Sequence, residues 1–390
     1  MKIAIYSGTV PSTTFIEQLI HGVAEEHQVY LFGVRRKPIK YLNQNIRTWT
    51  IPQSGGPRFL ISVVRFLKLL IFKPGRVGVL MNELKRYDRG YAKRNAFARI
   101  VPVLLNLPDV FHIQWAKDLE KWMFLKEKLD VKVILSLRGA HINYSPIANE
   151  QLAETYKKYF PKIDAFHAVS EDIKQEAQKY KADAQRISVI HSPVAESLIN
   201  SFETYKKKSE TPFRICSIGR FHWIKGMDYL LDALKILNDG DFKCEYLCIS
   251  SNQATESFLF QITQLGLQDR FMLLQDVHHS QVIESLRNCD VLVLPSLKEG
   301  IANVVLEAMS LGIPVIATNS GGMSEVVIQG ETGWLVPPRN PKAIANAIEE
   351  IHNLDETALN VITKNAHDLV SSTFDANKSI SKFIALYQSV

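Results

Sequence analysis

Short apolar runs separated by helix-length segments recur along almost the whole of this 390-residue chain. In the first half the runs are Lys2–Tyr6, Gln28–Phe32, Val110–Ile113, Lys132–Leu137, Ala165–Val169 and Ile187–Ile190. Between them, segments such as Phe15–Glu26 and Asp118–Leu129 carry apolar residues at helical spacing. A polar stretch, SFETYKKKSETP (201–212), interrupts the pattern, which then restarts. Phe213–Ile218, Glu245–Ile249, Arg270–Leu273, Val291–Leu294 and Val315–Ala317 follow, again separated by helical segments. Strands alternating with helices predict parallel sheets covered by helices. The expected fold class is therefore α/β, with two Rossmann-like doubly wound domains facing across a cleft. Residues 1–200 form the first domain and 205–371 the second, and the helical segment 372–390 is expected to cross back to the first. In such sheets ligands gather at the carboxyl ends of strands. Strand-end loops are where chemistry should be sought.

Composition fits this reading. The chain is 46% hydrophobic and 22% charged, ordinary values for a globular protein. Its start, MKIAIYSG, reads as a first strand and not as a signal peptide. The most apolar stretch, Phe59 to Phe72, is interrupted by Arg65 and Lys68 and is too short to span a bilayer. Cys216, Cys244, Cys248 and Cys289 show no CxxC or paired zinc spacing, so buried free thiols in a reducing cytoplasm are expected. The net charge of +6 is concentrated: between Arg58 and Arg99 eleven Lys and Arg face only Glu83 and Asp88.

Two strand-end loops in the second half hold the most suggestive side chains. Strand Phe213–Ile218 runs into GRFHWIKG, where Arg220 and Lys225 precede a helix starting near Met227. Two cations beside a helix N-terminus suit a diphosphate; a solvated basic loop is the plainer alternative. Strand Val291–Leu294 runs into PSLKEGIANVVLEAM, in which Glu299 and Glu307 lie eight positions apart. They read equally as an acid/base pair, as helix-surface charges, or as carboxylates that grip ligand hydroxyls. Gly300 and the backbone N–H groups of Ile301, Ala302 and Asn303 offer an anion site at the start of a helix. A third strand-end turn contains Gly321-Gly322, and no GxGxxG fingerprint occurs, which argues against a nicotinamide dinucleotide.

The order of these motifs carries a resemblance. Gly219-Arg220-x4-Lys225-Gly226, Pro295-Ser-x2-Glu299-Gly-x6-Glu307-Ala, Gly312-x-Pro314-Val, Gly321-Gly322 and Glu331-Thr-Gly333-x-Leu-Val-Pro337 occur in succession. Together they resemble the retaining, nucleotide-sugar-dependent glycosyltransferases of family 4, which have the GT-B fold. A looser match in the first half runs through Pro11–Ile16, Asp109–His112, Ser136–Gly139 and Val169–Glu171, and is similar to members that assemble exopolysaccharide. The resemblance implies that Arg220 and Lys225 neutralise a donor diphosphate, that Glu299 contacts the transferred sugar, and that Glu307 binds the ribose. It implies a donor cradle of Gly219, Gly300, Ile301, Ala302, Asn303 and Glu307, a UDP- or GDP-sugar donor, and a glycan or lipid-linked acceptor. No cofactor and no metal are expected, because fixed cations stabilise the leaving diphosphate.

On the acceptor side the resemblance points to His112, Arg138 and His141. His112 sits where relatives often show His-x-His, but Gln114 holds the second position here, and a buried strand-end histidine is an equal reading. The adjacent His278-His279 point apart and lack further ligand spacing, so metal binding is not expected. Trp115, Trp122 and Trp223 are expected to serve packing. The basic stretch suits adsorption to an anionic membrane face, and equally a core-packed helix with a solvated rim. The expected location is the cytoplasm, at the membrane face if the first reading holds. A nucleic-acid partner is not expected, since the patch lacks regular aromatic interleaving.

Overall fold

The structure is a computed structural model that describes all residues except Ser54, Arg89 and 208–211. Most of the end of the polar stretch, 208–211, and one cation of the basic stretch therefore lie outside the described residues. The chain divides into two compact units, Met1–Ile190 with Asn377–Val390, and His191–Ala376.

The first unit is built on β1 (Lys2–Tyr6), β2 (Gly8–Val10), β3 (Gln28–Arg35), β4 (Ile46–Ile51), β5 (Val110–Ile113), β6 (Lys132–Leu137), β7 (Ala165–Ala168) and β8 (Ile187–Val189). β1 and β2 both pair with β3 and act as one interrupted strand. All pairings are parallel, and from β4 through β3, β1, β5, β6 and β7 to β8 the sheet is continuous. Successive residues point to opposite faces, so Ala4 and Tyr6 enter one core while Ile3 and Ile5 enter the other. That second core also receives Phe383, Leu386 and Tyr387 from the final helix, Ala376–Gln388.

The second unit contains β9 (Phe213–Ile218), β10 (Cys244–Ser250), β11 (Phe271–Gln275), β12 (Val291–Leu294), β13 (Val315–Thr318) and β14 (Trp334–Val336). Their order, β11-β10-β9-β12-β13-β14, is the doubly wound 3-2-1-4-5-6 arrangement. Val291 and Val293 face one core and Leu292 and Leu294 the other. Caps set the helix starts: the side chains of Ser170, Thr255, Asn340 and Asp355 each accept a backbone N–H of the first turn.

The division falls at Ile190, ahead of the boundary expected near residue 200. Val194 is buried in a core of the second unit and donates its N–H to Phe374 O at 3.0 Å. The short helix Glu196–Ile199 packs on helices Asn303–Leu311 and Glu356–Thr373 of the same unit. The return to the first unit begins at Asn377 and not at residue 372, because helix Glu356–Thr373 buries Leu359, Ala366 and Val370 in the second unit.

Candidate functional site

The β9 and β12 loops are locked together by backbone contacts. Gly219 donates its N–H to Ile249 O at 3.0 Å, and Asn252 clamps the loop by accepting from Phe221 N–H at 2.8 Å and donating to Phe221 O at 3.2 Å. A tight turn at Trp223–Lys225 then ends at Gly226, whose φ of 62° lies in the left-handed region. There a Cβ would overlap the carbonyl oxygen of Pro295, so only glycine allows this approach. One residue pair further on, Leu297 N–H donates to Ile224 O at 2.7 Å.

This docking brings Lys225 to Glu299. Lys225 Nζ pairs with Glu299 Oε1, which also accepts from Ser296 Oγ at 2.9 Å. Ser296 is itself fully buried, and its carbonyl accepts from Thr318 Oγ1 at the end of β13. Three strand ends thus fix one carboxylate. Arg220 is exposed and makes no ion pair with any described residue. Gly300 and Ala302 are buried, and helix Asn303–Leu311 follows. The N–H groups of Gly300, Ile301, Ala302 and Asn303 have no acceptor among the described residues, which leaves a cluster of orphan donors at a helix N-terminus.

Glu307 lies on that helix, its side chain 19% exposed, with Oε1 held 3.1 Å from His279 Nε2. Burial raises its pKa, and the charge and hydrogen bond of His279 pull it partly back. The histidine pair does two separate jobs. His278 caps helix His279–Arg287, its N–H donating to Gln281 Oε1 at 3.1 Å, and His279 meets Glu307. Among the described residues no group of three or more His, Cys, Asp and Glu is placed to hold a metal ion. The four cysteines are buried and free.

The acceptor-side candidates occupy a different environment. His112 has no solvent exposure, and it belongs to a directed chain of hydrogen bonds. The Ile190 carbonyl can only accept, so His167 donates to it from Nε2 at 2.8 Å. His167 Nδ1 then accepts from Ser136 Oγ at 2.8 Å, and Ser136 Oγ accepts from His112 Nε2 at 2.8 Å. Last, His112 Nδ1 accepts from the Tyr387 hydroxyl at 2.7 Å. Both ring nitrogens of His112 are occupied within the protein. Burial, aided by the charge of Arg138, lowers its pKa to about 3, so the ring is neutral. Arg138 reaches Gln114 Oε1 from Nη2 at 3.3 Å and stacks 4.5 Å from the Phe15 ring centroid. His141 packs edge-on to Trp115 with ring centroids 5.6 Å apart, and burial lowers its pKa to about 4. Trp122 is buried as expected, but Trp223 stands 58% exposed in the Lys225 loop, while its loop neighbours Phe221 and Ile224 are buried.

Sequence reasoning missed Asn252, the contacts that Ser296 and His279 make with Glu299 and Glu307, and Tyr387. Asn252, Ser296 and His279 lie at strand or helix ends beside the named loops, which is the one signal they carried. Tyr387 carried none, because its partner His112 lies 275 positions away.

The described geometry agrees with comparisons to known proteins. Residues 12–198 match the family model "Glycosyltransferase Family 4" and residues 201–368 match "Glycosyl transferases group 1". The chain belongs to this glycosyltransferase family, with the GT-B architecture of two parallel-sheet domains. A capsular polysaccharide biosynthesis glycosyltransferase, CapM of Staphylococcus aureus, is 33% identical over 174 residues. That alignment covers 45% of this chain and 45% of the relative, so the chain spans about half the length of the curated relative it matches. Among solved structures, sucrose-phosphate synthase of Thermosynechococcus elongatus superposes with a TM-score of 0.75 at 19% identity, covering 100% of this chain and 98% of that one. Anabaena HepE in complex with UDP-glucose gives 0.71 at 18% identity, covering 100% of both chains. At those identities the likeness establishes the fold alone.

Proposed function

We propose that the protein transfers a sugar from a nucleoside-diphosphate sugar to a glycan or lipid-linked saccharide in cell-surface polysaccharide synthesis. The observation that carries this is the Lys225–Glu299 pair, held beside the orphan amides of Gly300–Asn303. A diphosphate would take Lys225, Arg220 and those amides, so that the charge developing on the leaving group meets fixed donors. Released from Lys225, Glu299 would accept hydroxyls of the transferred sugar. Glu307 would accept the ribose hydroxyls, with His279 holding its carboxylate in place. UDP is the favoured donor nucleotide, supported by the UDP-glucose bound to the structurally similar HepE, and GDP is the alternative. The similarity to CapM, a capsular polysaccharide biosynthesis glycosyltransferase, supports a place in polysaccharide biosynthesis.

In this reading both donor-loop carboxylates are taken up by binding, Glu299 by the transferred sugar and Glu307 by the ribose, so neither is assigned as a covalent nucleophile. Transfer therefore proceeds by a front-face route with retention: the acceptor oxygen bonds to the anomeric carbon as the bond to diphosphate breaks. The departing phosphate takes the acceptor proton. The metal-independent chemistry rests on Lys225 and Arg220 as the counter-charges. On the acceptor side Arg138, beside Phe15 and Gln114, is the group suited to an anionic or hydroxylated acceptor. His112 acts only through its neighbours, and His141 shapes the wall with Trp115. A thermal-shift panel of UDP-, GDP- and ADP-sugars tests the donor reading, and NMR of the product tests its anomeric configuration. Stabilisation by none of the donors, or an inverted product, defeats the proposal.

A further inference from the structure

Helix Gly56–Phe72 presents its apolar side to water. Only Ser62 and Leu69 of its residues are buried. Leu60, Val64, Leu67 and Ile71 recur at the spacing of a single helical face, and they are 64%, 43%, 51% and 71% exposed. A helix on a protein surface ordinarily turns polar residues outward, and a contiguous apolar stripe of this kind marks an interaction site. Lys68 lies within the stripe and Lys73 follows the helix, both exposed.

Beside the stripe is a cavity of about 550 Å³, lined by Phe59, Leu84 and Phe97 together with Arg58, Lys93 and Arg94. It lies between this helix and the helix Tyr91–Leu105 that packs on it. None of the three cations is in an ion pair with a described residue; Arg58 donates only to the Gln53 carbonyl, at 2.9 Å. An apolar floor with uncompensated cations matches a ligand that is part hydrocarbon and part phosphate.

We propose that this face seats on an anionic membrane surface and that the cavity takes one phosphate-bearing lipid. The helix lies in the plane of the headgroup boundary, with Leu60, Val64, Leu67 and Ile71 among the acyl chains and Lys68 at the phosphates. In the cavity a chain segment contacts Phe59, Leu84 and Phe97, and the phosphate contacts Arg58, Lys93 and Arg94. A nucleic acid would satisfy the cations but leave the stripe in water. The inference is separate from donor chemistry, which it does not require.

The test is co-sedimentation of the full chain with vesicles of phosphatidylcholine alone and of phosphatidylcholine with phosphatidylglycerol in equal parts. Two variants accompany it: Leu67→Asp with Ile71→Asp, and Lys93→Gln with Arg94→Gln. All four positions lie at the surface or cavity lining, and circular dichroism confirms folding of each variant. The expected result is binding to the mixed vesicles only, reduced roughly tenfold or more by the aspartates, with the glutamines removing the preference for anionic lipid. Soluble dihexanoyl-phosphatidylglycerol protects the protein against thermal unfolding in the expected outcome, and glycerol phosphate does not. Equal protection by glycerol phosphate overturns the lipid assignment of the cavity. Absence of vesicle binding, unchanged binding by the aspartate variant, preference for a duplex oligonucleotide, or a dimer that the aspartates dissociate overturns the membrane proposal. Nucleotide binding, measured on the same samples, reports on the transferase proposal, so either can fail alone.

Discussion

Lys225 and Glu299, 74 positions apart in sequence, form an ion pair across two strand-end loops that the absence of a side chain at Gly226 allows to touch. Their side chains are 19% and 16% exposed, so the pair is largely withdrawn from water. A buried pair of this kind is strongly oriented, and removing one member leaves the other uncompensated. It also means that a diphosphate must compete with Glu299 for the ammonium.

Glu299→Gln therefore separates nucleotide binding from turnover. With the competing carboxylate gone, Lys225 is released for phosphate, and free nucleoside diphosphate should bind as tightly as before or more tightly. Sugar transfer should fall by about tenfold or more, since a charge-assisted hydrogen bond to the sugar is worth about 1.5–3 kcal/mol. Calorimetry with the nucleotide and initial rates with the donor provide the two readings. A parallel loss of both would show that Glu299 holds the loops and not the sugar.

Gly226→Ala should damage the site without touching a ligand. The left-handed φ costs an alanine about 1 kcal/mol, and the overlap with the Pro295 carbonyl forces the two loops apart. Expected outcomes are a lowered melting temperature and a loss of nucleotide affinity larger than the stability loss alone would cause. Unchanged affinity in a folded variant would mean the loop contact is dispensable.

The pH dependence of nucleotide binding should bear the mark of Glu307. Its pKa is raised by burial, so its anion is lost at a higher pH than that of an ordinary carboxyl, and ribose binding fails from that point downward. His279→Ala removes the group that lowers this pKa and should move the acid limb further up. In the free protein the sign is opposite: an acid with a raised pKa weakens the fold above its ordinary titration range, because ionisation is disfavoured there. Glu307→Gln should then leave stability at neutral pH equal or improved while reducing affinity. Affinity measured across the acid range in the wild type and in His279→Ala checks this, and superimposable profiles would refute it.

Tyr387→Phe breaks the chain that ties the last helix to three strand ends. His112 Nδ1 then loses the nearer of its two donors and keeps only the Gln114 side-chain amide, 3.1 Å away, at a cost of about 0.5–1.5 kcal/mol. Urea denaturation should show the loss, and amide exchange should rise first in helix Ala376–Gln388. A variant as stable as the wild type would place the hydroxyl outside the network.

The fold was legible because most strands read as short apolar runs between helix-length segments, and eleven of the fourteen strands among the described residues stand out that way, the edge strands β8 and β11 included. The three missed, β2, β4 and β14, are short or lie at an edge. In β4, IRTWTI, the middle residues are exposed or half-buried, and the run looks polar. At the donor loops, residue type and order were enough to single out Lys225, Glu299 and Glu307. What joins them was not legible, since the Pro295 approach and the Asn252 clamp are long-range contacts with no local periodicity. His112 shows the same limit from the other side. A histidine at a strand end looks like a ligand until the Tyr387 and Ser136 hydroxyls are seen to occupy both of its nitrogens. The basic stretch was read as an apolar run with sparse cations, but which of its residues meet water was not legible: Leu60, Val64, Leu67 and Ile71 do, beside Lys68.

Titration of the wild-type protein and of Lys225→Ala with UDP and GDP tests the donor site most directly. Wild type should bind one of the two, and Lys225→Ala should bind it at least about tenfold more weakly, as the loss of a charge-assisted phosphate contact requires. Undiminished binding by the variant, or no binding of either nucleotide by the wild type, would contradict the assignment of this site to a nucleoside diphosphate.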